Sequence, residues 1–190
     1  MKSLNVMIVG VGGQGTLLAS RVLGAAMQAA GQDVKVSEVH GMSQRGGSVV
    51  TYVRAGEKVY SPIINPGEAD LILAFEQLEA ARWLPYLKKE GMLIVNTQKM
   101  DPMPVVTGAA QYPEGVLEAL RKAGARLQAV DALKLAMDAG SVKAVNIVLI
   151  GVMARQTDIP KEVWQDAVRS TVPERFVELN LKAFEAGYTA

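Results

Sequence analysis

Val6 to Gly10 is a short apolar run, and Gly10-Val11-Gly12-Gly13-Gln14-Gly15 carries it into a stretch where Leu17, Leu18, Val22, Leu23, Ala26, Met27 and Ala30 recur at three-to-four spacing. Strand, glycine turn and helix, in that order, constrain the chain more than any other feature. A strand with no polar alternation needs cover on both faces, which is the condition of a mostly parallel sheet between helical layers. The turn fits G-x-G-x-x-G, in the strand-to-helix context that gives this motif physical meaning. Its glycines permit a tight turn and close approach of a ligand to the backbone, and the first-turn amides favour an anion. The same glycines also serve if the helix merely packs closely on the strand. Glu38, 23 residues past Gly15, stands where a dinucleotide enzyme keeps its ribose-binding carboxylate. A nicotinamide- or flavin-nucleotide oxidoreductase is therefore one reading, and a non-catalytic binding module on the same fold is another.

The remaining pattern supports an α/β chain with a Rossmann-like start. Val34–Val39 reads as a second strand. Ser48–Arg54 and Lys58–Ile64, joined by Ala55-Gly56-Glu57, read as an antiparallel hairpin where a nucleotide-binding unit would place a crossover helix. Further strands are expected at Asp70–Phe75, Gly91–Asn96 and residues 125–130, with helices over 76–87 and 114–123. Residues 97–113 hold three prolines and read as an ordered loop or short edge strand. Beyond Asp131 the chain reads as helical, broken near Gly140, Asp158–Pro160 and Pro173. Val142–Met153 surrounds Asn146 with apolar residues, so that helix is expected to be buried. Trp164, Phe176, Leu179 and Phe184 are expected in the core. The fold class is three-layer α/β, with a mostly parallel sheet, an antiparallel hairpin and a helical C-terminal end. At 190 residues, without repeats or linkers, positions 1–190 read as a single domain.

Composition narrows the chemistry. There is no cysteine and one histidine, His40. The chain alone therefore builds no disulfide, thiolate nucleophile, cysteine-ligated iron–sulfur cluster or multi-histidine metal site. Lys plus Arg is 20 against 19 for Asp plus Glu, which gives no electrostatic footprint for nucleic acid or an anionic membrane. The first apolar stretch is far shorter than the roughly 20 residues of a span, and it ends in glycines rather than a cleavage site. A soluble cytoplasmic protein is expected. No residue is both an evident nucleophile and next to an evident base, so no catalytic residue and no metal ligand is assigned.

A second glycine-rich loop follows the second strand: Glu38-Val39-His40-Gly41-Met42-Ser43-Gln44-Arg45-Gly46-Gly47-Ser48. If the first two strands are adjacent and parallel, this loop and the first glycine turn share one rim of the sheet. Arg45, flanked by Gly46 and Gly47, suits a phosphate or carboxylate, and His40, Ser43 and Gln44 add polar groups. The plainer alternatives are that Arg45 pairs with Glu38 and that the glycines only turn the chain. Glu76 is either a rim residue or a helix N-terminal charge, and Asn96-Thr97-Gln98 is a further candidate for the rim.

Taken together, the two loops resemble the gamma-type subunit or domain of 2-oxoacid:ferredoxin oxidoreductases. The His40-Gly41 and Gln44-Arg45-Gly46-Gly47 form is most similar to the small subunit of the indolepyruvate type. The resemblance covers essentially the whole chain. It implies an accessory subunit, inactive alone, of an enzyme that oxidatively decarboxylates a 2-oxoacid, an aryl pyruvate in the indolepyruvate type, with coenzyme A and oxidised ferredoxin. Thiamine diphosphate, magnesium and iron–sulfur clusters then belong to a large partner subunit. This sequence lacks a G-D-G followed by an N-N pair to hold the thiamine cofactor. The contact residues implied are Gly12, Gly13, Gln14, Gly15, Glu38, His40, Gly41, Ser43, Gln44, Arg45, Gly46 and Gly47, facing substrate, coenzyme or the partner's site.

Overall fold

The computed structural model describes residues 3–40 and 47–190. The chain runs β1 (Leu4–Val11), α1 (Thr16–Ala29), β2 (Asp33–His40), β3 (Ser48–Gly56), β4 (Ala69–Ala74), α2 (Gln77–Trp83), β5 (Leu87–Asn96), α3 (Met103–Val106), α4 (Val116–Lys122) and β6 (Arg126–Val130). Four helices close it: α5 (Ala132–Ala139), α6 (Val145–Ala154), α7 (Lys161–Thr171) and α8 (Val177–Tyr188). The strands form one sheet in the order β2-β3-β1-β4-β5-β6. Strands β1, β4, β5 and β6 pair in parallel, while β3 runs antiparallel to both β1 and β2.

Alternation along β1 sorts the core into two halves. Val6 and Ile8 face a layer made by α1, α6, α7 and α8, where Leu23, Ile147, Trp164 and Phe184 are buried. Met7 and Val9 face the opposite side, under Ala80 of α2 and Val116 and Leu120 of α4. With helices on both faces, the central strands need no polar alternation, which is why β1 and β4 are nearly continuous apolar runs. The three-layer α/β class expected from the sequence is the one observed.

Helix α6 is buried along its length after Val145, and its burial comes from this chain itself. It crosses α8 at glycines. A Cβ on Gly187 would stand 1.9 Å from the Val148 carbonyl oxygen, and one on Gly151 would stand 2.2 Å from that of Phe184. Only residues without side chains let the two backbones approach so closely.

Four expectations are corrected. The hairpin is β2–β3, with Asp33 opposite Gly56 and His40 opposite Val49. Residues 58–64 are not a strand: the backbone groups of Val59 and Ile63 bond to side chains instead, and Pro62 has no N–H to give. Val59 N–H donates to Asp33 Oδ2, and Arg54 Nη1 donates to the Ile63 carbonyl. β2 is parallel to β1 in direction but not adjacent to it, since β3 lies between. Strand β5 begins at Leu87, so the helix expected through 87 ends at Trp83, followed by a single 3₁₀ turn at Leu84–Tyr86. Phe176 is 44% exposed and not in the core.

Candidate functional site

Gly15 closes the glycine turn as the N-cap of α1, with φ of 81° and no side-chain cap. The left-handed φ selects glycine there, and a second constraint acts through space. Asn146 of α6 donates from Nδ2 to the Gly15 carbonyl at 3.2 Å, and a Cβ at Gly15 would meet that nitrogen at 2.6 Å. Gln14 folds back inside the turn. Its Oε1 accepts from Val11 N–H at 2.9 Å and its Nε2 donates to the Phe75 carbonyl at 3.1 Å. Gln14 thus ties the end of β1 to the end of β4. Gly10 leaves room for it, since a Cβ there would lie 2.7 Å from Gln14 Oε1.

This turn forms one wall of a cavity of about 690 Å³. Gly12, Gly13, Gln14 and Gly15 line one side; Gln98 and Met100, beyond β5, line another; Leu133, Val142, Lys143, Val145 and Asn146 complete it. The first-turn amides of a helix have no partners within the helix and carry partial positive charge. Lys143 adds a full charge, and among the described residues that line the cavity none is acidic. The arrangement suits an anionic group with an apolar neighbour.

The wall bearing Gln98 and Met100 is held by buried polar groups. Glu76, 1% exposed, caps α2 by accepting from the amides of Leu78 and Glu79. Its other oxygen accepts from Met100 N–H and from the Tyr112 hydroxyl. Burial first, and the Glu76 hydrogen bond second, push the Tyr112 phenol well above its ordinary value. Glu76 therefore acts as a cap and clasp, not as a rim residue. Asn96 is buried as well, donating to the Phe75 carbonyl and to Gln98 Oε1 and accepting from Ala132 N–H.

Gly47 reaches the same rim, because Gly12 N–H donates to its carbonyl at 2.9 Å. Glu38 and His40 lie on β2, two strand spacings from β1, or about 9.5 Å. Glu38 is not at the glycine turn, as the dinucleotide pattern requires of a neighbouring strand; β3 separates them. It accepts from Thr51 Oγ1 at 2.9 Å and lies 3.1 Å from His40 Nδ1. Gly41, Ser43, Gln44, Arg45 and Gly46 lie outside the described residues. Sequence reasoning did not find Lys143, Leu133 or Met100. Asn146 carried a signal, as the one polar residue within an apolar helix. Among the described residues no helix is long and apolar enough to cross a membrane.

Residues 5–190 match the family described as pyruvate ferredoxin/flavodoxin oxidoreductase. The chain is 44% identical over 197 aligned residues to the indolepyruvate oxidoreductase subunit IorB of Thermococcus kodakarensis, covering 100% of this chain and 96% of the relative. The crystal structure of a keto/oxoacid ferredoxin oxidoreductase gamma subunit from Geobacter sulfurreducens superposes with a TM-score of 0.73 at 28% identity, covering 98% of this chain and 96% of that one. The fold also recurs, with a TM-score of 0.76 at 20% identity, in 2-oxoglutarate:ferredoxin oxidoreductase from Magnetococcus marinus, a structure with 2-oxoglutarate, coenzyme A and succinyl-CoA bound. All of this chain, but only 31% of that one, is covered.

Proposed function

Since the chain belongs to the pyruvate ferredoxin/flavodoxin oxidoreductase family, we propose that it is the accessory gamma-type subunit of an indolepyruvate-type 2-oxoacid:ferredoxin oxidoreductase, a single such domain acting in the cytoplasm. The observation that carries this reading is the likeness over the full chain to a subunit of similar length, the indolepyruvate oxidoreductase subunit IorB. The longer relative, in which the same fold is about a third of one polypeptide, supports a role beside a larger catalytic body.

In this reading the large partner holds thiamine diphosphate, magnesium and iron–sulfur clusters, and supplies decarboxylation and electron transfer to ferredoxin. A chain without cysteine has no thiolates for such clusters, and among the described residues no group of three or more His, Asp or Glu stands together as a metal site. This subunit contributes its rim. The glycine turn, Gly12 to Gly15, and the loop carrying Gly41, Ser43, Gln44, Arg45, Gly46 and Gly47 face the partner. Arg45 and the amides at the start of α1 meet anionic groups of the 2-oxoacid or of coenzyme A, and Lys143 adds to the positive potential of the cavity.

Arg45→Ala in the assembled complex tests the assignment. The expected result is weakened affinity for the 2-oxoacid or coenzyme A without loss of assembly. Full turnover with both affinities unchanged would remove Arg45 from the site. Purified alone, the chain is expected to be colourless and to bind no nucleotide tightly. Saturable NAD or flavin binding at micromolar strength would favour a nucleotide-dependent oxidoreductase instead.

A further inference from the structure

Asn96 ends β5 with its side chain fully buried, and backbone groups decide which way its amide points. The Ala132 N–H can only donate, and it meets Oδ1 at 3.3 Å; the Phe75 carbonyl can only accept, and it meets Nδ2 at 3.2 Å. The second hydrogen of Nδ2 goes to Gln98 Oε1 at 3.3 Å. Reversing the Gln98 amide would set one NH2 group against another, so its oxygen stays turned inward to Asn96. Nε2 is left with two hydrogens and, among the described residues, no partner. No side-chain polar atom among the described residues is both buried and unpaired, so this nitrogen is accessible, and Gln98 lines the cavity. The same network reaches the opposite wall. The Phe75 carbonyl also accepts from Gln14 Nε2, whose Oε1 accepts from Val11 N–H, so Gln14 and Gln98 are held through one carbonyl.

We propose that Gln98 is a ligand-binding residue of this cavity: its Nε2 donates to an oxyanion, carboxylate or phosphate, of the substrate or cosubstrate, and Asn96 is its positioning residue. The inference rests on the subunit reading above and deepens it. An amide free to rotate offers a ligand either a donor or an acceptor. Gln98, with its oxygen already engaged, offers donors alone, which suits an oxyanion and leaves a cationic or donor group without a partner. Lys143 contributes positive charge to the same cavity, and among the described lining residues no carboxylate competes for these donors. Met100, Leu133, Val142 and Val145 are left to take the hydrocarbon part of the ligand. Because the amide is already oriented, little side-chain entropy is lost when the ligand binds.

Gln98→Glu keeps an oxygen for Asn96 and replaces the donor with a second carboxylate oxygen. In the complex it is expected to raise the KM for the 2-oxoacid or for coenzyme A about tenfold or more with little change in kcat, the mark of lost ground-state binding. Gln98→Met, of similar length but with neither donor nor charge, is expected to raise the same KM by a smaller factor. A rise confined to the 2-oxoacid assigns the carboxylate, and one confined to coenzyme A assigns the phosphates. Unchanged KM values for both in the Gln98→Glu complex, the result a merely structural role gives, would overturn the proposal, as would a loss confined to kcat. The contact is also read without the partner. In the ¹⁵N-labelled full chain the Gln98 side-chain NH2 signals, identified by their absence from Gln98→Glu, are expected to shift saturably with inorganic phosphate or with acetate at constant ionic strength. No shift with either anion would overturn the proposal. A wild-type complex without 2-oxoacid-dependent ferredoxin reduction overturns the subunit reading instead, and the titration still decides the contact.

Discussion

Asn146 hydrogen-bonds the carbonyl of Gly15 across 131 residues of sequence, joining the most buried helix to the start of the glycine-turn helix. That bond sets two walls of the cavity against each other. Gly15→Ala would force an L-residue to φ of 81° and drive a methyl group against Asn146. A loss of about 2–3 kcal/mol is expected, read as a lower urea midpoint with unchanged slope. A change within about 0.5 kcal/mol, the range of ordinary surface substitutions, would show that the contact constrains nothing.

Asn146→Leu removes the same bond from the other side. It is expected to cost about 1–2 kcal/mol, and, because the residues touch, to be non-additive with Gly15→Ala by about 1 kcal/mol in a double-mutant cycle. Strict additivity would indicate that the turn and α6 are independent.

The crossing of α6 and α8 predicts opposite outcomes for two helical glycines. Gly187→Ala places a methyl group against the Val148 carbonyl, and a loss of about 3 kcal/mol or more is expected. Gly24 of α1 has nothing within 4 Å of a Cβ and no left-handed φ. Gly24→Ala is expected to stabilise by about 0.5–1 kcal/mol. Thermal melts of the two variants should shift in opposite directions.

Tyr112 gives a pH dependence. Its folded pKa is raised above the unfolded value of about 10, so its contribution is fully present below pH 10. Above that, the unfolded chain releases the proton while the native one holds it, and stability falls as pH rises. Tyr112→Phe is expected to cost about 1–2 kcal/mol at pH 7 through the lost bond to Glu76 and to flatten the alkaline decline. Tyr52, also raised by burial, leaves part of that decline in place. Equal alkaline slopes in both proteins would contradict the clasp.

The first strand, turn and helix were legible because each is local: an apolar run, a glycine signature and a 3.6-residue period. The C-terminal helices were legible for the same reason, with Gly140 and the prolines at 160 and 173 close to their breaks. The insertion of β3 between β1 and β2 was not, because strand pairing depends on partners distant in sequence. Residues 58–64 misled through composition, since Val59, Tyr60, Ile63 and Ile64 are strand-forming types whose neighbours Asp33 and Arg54 take up the backbone groups instead. The far wall of the cavity, from Leu133 to Asn146, adjoins the glycine turn only through the tertiary fold. Glu38 and His40, two apart on one strand, were close in the sequence, yet the Thr51 hydroxyl that donates to Glu38 came only with β3.

The most direct test is reconstitution with the large partner subunit and ferredoxin, with a 2-oxoacid and coenzyme A supplied. The account predicts ferredoxin reduction that depends on the 2-oxoacid and is lost when either polypeptide is left out. Turnover of a 2-oxoacid by this chain alone, or an undiminished rate from the partner without it, would contradict the account.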